Sequence, residues 1–170
     1  ADTPPSKAGK RGPSGRMDFR GVHEMHPPIC IDGSKAVFLD DAFSLNPSTG
    51  ELLVHIVDVA DTIRKFPALE RTARERLSSI FLPSGPVHMM PPQALETLKL
   101  STEHANEVIT AAISIDEESG ELLGYRIFAS TIGPVHAMEL SAADDIIDLA
   151  VERGAEGGET TAMNIVGYAP

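Results

Sequence analysis

The sequence predicts an α+β domain, mainly an antiparallel sheet of hairpins with helices packed on it. Three observations predict this. Two pairs of β-branched runs each flank five turn-forming residues, at 46–50 and at 116–120. Helical periodicity extends over only two longer stretches, 68–76 and 141–153. The element order runs strands, helix, loop, strands, helix, without the alternation that a wound parallel sheet requires.

Residues 1–16 are rich in Pro, Gly, Ser and basic side chains and carry no apolar periodicity. They read as a disordered basic arm, with the folded unit expected over 17–154 and a C-terminal tail over 155–170. Residues 29–32 are a short apolar strand. Residues 36–45 are a mixed strand through Val37, Leu39 and Phe43, and 52–59 is β-branched at Val54, Ile56, Val57 and Val59. Asn46, Pro47, Ser48, Thr49 and Gly50 turn one into the other.

Pro67 suits the first turn of a helix over 68–76, whose Leu69, Ala73 and Leu77 recur every four residues and are expected to face the sheet. Pro83, Gly85, Pro86, Pro91 and Pro92 predict an irregular loop, and 91–100 has room for a short helix with Leu95 and Leu98 inward. Residues 108–115 and 122–132 form the second hairpin. Ser141 is expected to cap a helix, with Asp144 three residues on. Its buried stripe would be Ile146, Ile147, Ala150 and Val151, and Gly154 would end it.

The chain has 170 residues, 42% of them hydrophobic, enough for one core. Cys30 is the only cysteine, which excludes an intrachain disulfide and a thiolate metal cluster. No apolar run approaches a membrane span and no signal-peptide pattern is present, so a soluble protein of the cytoplasm or an organelle interior is expected. Ala1 in the place of an initiating Met points to a processed chain or a fragment. The net charge of −11 is uneven: residues 1–100 hold 12 basic and 12 acidic side chains, whereas 101–170 hold 2 and 13. The second half would repel a phosphate backbone and suits a basic protein partner; the first half tolerates nucleic acid locally.

Chemistry concentrates in residues 31–42, where Asp32, Asp40 and Asp41 flank a Gly-Ser-Lys turn. Three oxygen ligands with open water positions suit Mg²⁺, and the flanking strands are expected to bring the three together. His55 reads as a packed strand histidine, and Met89 and Met90 as core filler. Arg71, Arg74 and Arg76 beside Glu70 and Glu75 read as a solvated helix face.

Over 29–132 the sequence resembles the first half of the catalytic domain of the ribonuclease II family, the RNB domain. Ile31-Asp32 and Asp40-Asp41-Ala42 match its opening acidic cluster, and Val54-His55-Ile56-Val57-Asp58-Val59 its Val-His-Ile-Ala-Asp-Val strand. A Leu69-Glu70 helix through Arg76 then leads to Phe81-Leu82-Pro83 and Val87-His88-Met89-Met90-Pro91, followed by the hairpin from Ile113 to Arg126. The resemblance implies a Mg²⁺-dependent 3′→5′ exoribonuclease releasing nucleoside monophosphates from single-stranded RNA. Asp32 and Asp41 would hold the metal, Asp40 would assist at the attacking water, and Phe81 would stack on a base near the RNA 3′ end.

The chain departs from the family pattern. Phe38 stands where the family has a fourth Asp, Leu77 where it has Gly, and Asn106-Glu107 where it has Asp-Arg. The second half of the domain, which carries an Arg near the scissile phosphate, is not in these residues. The expected function is therefore a degenerate RNB module, non-catalytic, serving as a binding or structural piece among other protein subunits. The alternative is a fragment of an active exoribonuclease.

Overall fold

In a computed structural model, residues 10–23, 26–33, 36 and 38–155 are described. The first half forms β1 (Lys10–Arg11), β2 (Met17–Asp18), α1 (Arg20–His23), β3 (Ile29–Asp32), β4 (Asp41–Leu45), β5 (Leu52–Val57), α2 (Val59–Arg64) and α3 (Pro67–Arg76). The second forms β6 (Ile80–Leu82), β7 (Gly85–Val87), α4 (Pro92–Leu95), β8 (Asn106–Ile115), β9 (Leu122–Ile132), β10 (His136–Glu139) and α5 (Leu140–Ala155).

Eight strands join one sheet in the order β1-β2-β9-β8-β5-β4-β3-β10, and β6 pairs with β7 apart from it. The pairs are antiparallel except β2 with β9 and β10 with β3, which run parallel. The expected α+β architecture, a large and mostly antiparallel sheet with helices, is the one observed.

The two long hairpins use one turn twice. Asn46 Oδ1 accepts the Ser48 N–H at 3.1 Å, and the Gly50 N–H donates to the Asn46 carbonyl at 2.8 Å. Asp116 Oδ1 accepts the Ser119 N–H at 2.8 Å, and the Gly120 N–H donates to the Asp116 carbonyl, also at 2.8 Å. Gly50 and Gly120 close the turns at φ 71° and 72°, a region that a Cβ disfavours. A short polar side chain begins each turn and a glycine ends it, so the sequence alone locates both hairpins.

Alternation along the strands gives the sheet two faces. The inner face carries Leu53, Val108, Ala112 and Ile132, closed over by Phe19, Leu100 and Val135. Met90 and Leu98 are also buried, as their places in the sequence suggest, while Leu95 is half-buried.

Several expectations are corrected. Residues 10–16, read by composition as part of an arm, carry strand β1 and Arg16, whose guanidinium meets Asp58 at 2.5 Å; residues 1–9 of the expected arm and 156–170 of the expected tail lie outside the described residues. The strand expected over 36–45 is regular only from Asp41. Val59 does not extend β5 but starts α2, because Asp58 Oδ1 caps it by accepting the Asp61 N–H at 3.0 Å. Helix α3 has no buried residue, packs against α2 rather than the sheet, and leaves Leu77 81% exposed.

The Pro-rich segment holds the small β6–β7 hairpin instead of an irregular loop. Helix α5 starts at Leu140, directly from β10, so Ser141 lies inside it; Ala143 is buried and Ile147 exposed. The side chains of Ala150 and Val151 lie outside the described residues.

Candidate functional site

Strand register gathers acidic side chains at one end of the sheet. Asp41 pairs with Ile56, Val57 with Val108, and Asp32 with Glu139. Asp32, Asp40, Asp41, Asp58, Glu107 and Glu139 therefore share that end. The loop before β4 is held by its backbone: the Leu39 carbonyl accepts the Leu100 N–H at 2.6 Å, and the Asp40 carbonyl accepts the Val57 N–H at 3.1 Å. Asp40 and Asp41 are exposed, and Asp32 is half-buried with Oδ1 accepting the Gly33 N–H at 3.1 Å.

Cys30 senses this charge. Burial, then the negative charges of Asp41, Asp32 and Asp40, push its thiol up to about 11. The three carboxylates lie within electrostatic reach of one buried sulfur, but they do not close on a common point. Among the described residues, no three His, Cys, Asp or Glu side chains form a group that could hold a metal ion. The expected convergence of Asp32, Asp40 and Asp41 is not reached in this backbone. Mg²⁺ demands near-octahedral oxygen geometry, and this arrangement does not fit it as a resident ion.

Phe38, which the resemblance sets against a family Asp, has a partner. Its ring meets that of His88 edge-on, with centroids 5.5 Å apart at 82°. Such a pair contributes roughly 0.5–1.5 kcal/mol beyond its buried area. The His88 carbonyl accepts from Arg76 Nη1 at 2.8 Å, and the Met89 N–H donates to Ser79 Oγ at 2.9 Å. The contact is tied to α3 through Arg76 and to the start of the β6–β7 hairpin through Ser79. On that hairpin Phe81 is 80% exposed, a ring open to a stacking ligand.

The Val54–Val59 motif does structural work. His55, fully buried, is hydrogen-bonded to Ser44 Oγ at 2.9 Å and Thr110 Oγ1 at 2.8 Å, and Thr110 meets Ser130. This polar chain crosses β4, β5, β8 and β9 and fixes their register, because any slip leaves a buried polar atom unpaired. Asp58 caps α2 with one oxygen and holds Arg16 with the other. The packed reading of His55 holds; the role of Asp58 is visible only once α2 is placed.

The RNB domain family model matches residues 16–163. The chain belongs to the RNB-domain family. Among curated relatives, ribonuclease R of Chlamydia trachomatis is 31% identical over 121 residues, 69% of this chain and 17% of that protein. The virulence protein SSD1 of Candida albicans is 29% identical over 97 residues, 57% of this chain and 8% of that protein. The yeast Ssd1 structure, described as a pseudonuclease, superposes with a TM-score of 0.67 at 22% identity, over 87% of this chain and 18% of its own. Mycoplasma genitalium RNase R in complex with double-stranded RNA gives a TM-score of 0.65 at 20% identity, over 92% and 26%. At those identities the structures establish the fold.

The chain spans about a sixth of the Chlamydia enzyme and at most about a quarter of these solved chains. RNB relatives include ribonucleases and a pseudonuclease, and RNB ribonucleases are generally metal-dependent. No helix among the described residues is long and apolar enough to cross a membrane.

Sequence reasoning missed His88 as the partner of position 38 and Glu139 as the strand neighbour of Asp32. Both contacts span long stretches of sequence, and no local pattern signals either.

Proposed function

We propose that this chain is a non-catalytic RNB module that binds within a larger assembly. The observation that carries the reading is Phe38: the resemblance sets an Asp at this position, and here its ring packs on His88. The open geometry of Asp32, Asp40 and Asp41 supports it, since metal-assisted attack on a phosphodiester needs the ion fixed by several oxygens. By the resemblance, Asp32 and Asp41 would be the metal pair and Asp40 the residue assisting at the attacking water, but among the described residues no three such side chains form a metal-holding group. Phe81 is the candidate stacking residue for single-stranded RNA. Other protein subunits are the expected partners of the strongly acidic second half.

The test incubates the chain with 5′-labelled single-stranded RNA and Mg²⁺. The expected result is intact RNA. Stepwise shortening from the 3′ end, abolished by Asp40→Asn, would restore the alternative, a fragment of an active exoribonuclease. RNA binding without cleavage, weakened by Phe81→Ala, would support the module reading.

A further inference from the structure

We propose that the β6–β7 hairpin is a membrane-surface anchor, which inserts its tip into the headgroup boundary of an anionic lipid bilayer. Residues 77–95 contain no Asp, Glu, Lys or Arg, in a chain of which 23% is charged. Within that run Leu77, Ile80, Phe81, Leu82 and Val87 are between 49% and 81% exposed. Pro83 and Ser84 at the turn are exposed as well. β6 and β7 pack chiefly against each other, outside the eight-stranded sheet. The base of the hairpin is fastened, because Ser79 Oγ accepts the Met89 N–H at 2.9 Å, the His88 carbonyl accepts from Arg76 Nη1 at 2.8 Å, and Met90 is buried. An apolar tip thus projects from a held base.

The two faces of the hairpin select the occupant. Register sets Ile80 opposite Val87 and Phe81 opposite Pro86. Successive strand residues point to opposite faces, so Ile80, Leu82 and Val87 lie on one face and Phe81 and Pro86 on the other. A docked protein surface, or a second copy of this chain, covers one face of a two-stranded hairpin and leaves the other in water. A lipid phase surrounds both. A base can stack on the ring of Phe81, but Ile80, Leu82 and Val87 offer RNA no planar face.

Charge sets the lipid class. Residues 64–76, directly before the hairpin, hold five basic side chains and two acidic ones. Asp61 pairs with Arg64 and Lys65, and Glu70 with Arg74. Arg71 and Arg76 are exposed and take part in no ion pair among the described residues. Arg64 and Arg74 line one groove with Leu77, which places the basic collar beside the apolar tip. Each cation held near an anionic surface strengthens attachment about fivefold. The length agrees: three-residue arms at about 3.3 Å per residue reach roughly 10 Å, the depth to which interfacial elements sink. At that depth the outer backbone edges still meet water and headgroups, so the hairpin lies in the boundary and does not span. The net charge of −11 opposes an anionic surface at long range, which confines attachment to this basic, apolar end.

The test floats the chain with vesicles of phosphatidylcholine containing about one-third phosphatidylserine, with circular dichroism verifying the fold. The chain has no Trp, so Phe81→Trp supplies a unique fluorophore. The expected result is co-flotation, with Trp emission that shifts to the blue and is quenched by brominated acyl chains. Ile80→Ser combined with Leu82→Ser, which leaves Phe81 in place, should weaken binding about tenfold or more. Arg71→Gln should weaken it about fivefold on the anionic vesicles and leave binding to pure phosphatidylcholine unchanged. A folded chain that does not float with the vesicles would overturn the proposal. So would a blue shift without lipid while the chain sediments at twice its 18.1 kDa, which would assign the hairpin to a second copy. Binding of single-stranded RNA that needs Ile80 and Leu82, with vesicle binding that does not, would assign the hairpin to RNA and overturn it too. Nuclease activity of this chain would overturn the proposed function instead and leave the vesicle result standing.

Discussion

Leu77→Gly should stabilise this protein, although it deletes a large apolar side chain. Leu77 ends α3 at φ 66° and ψ −33°, and across it the Ser78 N–H donates to the Arg76 carbonyl at 2.8 Å. That is a γ-turn of the strained hand, which a Cβ resists. Holding a non-glycine residue there costs about 1–3 kcal/mol. Against this, glycine loses about 0.5–1 kcal/mol through the entropy of the unfolded chain. The side chain is 81% exposed, so its small buried portion adds only about 0.4 kcal/mol to the loss.

The balance favours glycine by about 1 kcal/mol, which for a domain of this size raises the melting temperature by roughly 2–4 °C. Calorimetry on wild type, Leu77→Gly and Leu77→Ala provides the measurement. Alanine keeps the Cβ and should melt close to wild type. A glycine variant melting at or below wild type, or an alanine variant rising as far as glycine, would refute the argument from strain.

Three further predictions follow from single side chains. Phe38→Asp should cost about 1–2 kcal/mol in the absence of metal, through the lost edge contact with His88, and should raise Mg²⁺ affinity about 10–100-fold, read by calorimetric titration; unchanged affinity would show that position 38 does not face the acidic end. His55→Ala should lower stability by about 3–4 kcal/mol in urea, because it opens a cavity and strips buried Ser44 and Thr110 of a partner; a loss below about 1 kcal/mol would contradict the register role. Cys30, raised from 9.0 to about 11 in the fold, gives a signed pH dependence. The unfolded chain releases this proton first, so the contribution is complete below pH 9 and is lost as pH rises towards 11. Cys30→Ala should remove that part of the alkaline decline in denaturation midpoint.

What the sequence determined by itself was local. Both long hairpins are legible because each turn is built within five residues, from an Asn or Asp that binds its own backbone and a glycine at positive φ. The α3 helix is legible from Pro67 and its period, and the family from the order of Asp32, Asp40-Asp41, His55-Ile56-Val57-Asp58 and Phe81 along the chain. The tertiary structure decided what depends on distant partners. It paired β10 in parallel with β3, some hundred residues away in the chain, and β2 with β9. It turned α3 onto α2, leaving its apolar stripe without the sheet it was expected to meet.

It also decided the candidate site. Asp32 and Asp41 are close in sequence, but whether they meet depends on where β3 and β4 diverge, and Phe38 is a departure from pattern until His88 arrives from fifty residues away to pack on it. Periodicity and turn chemistry act over a few residues and can be read in one dimension. Strand order, the choice of face and the convergence of side chains are set by burial and by the pairing of buried polar groups across the whole fold, which fix distances that spacing along the chain does not contain.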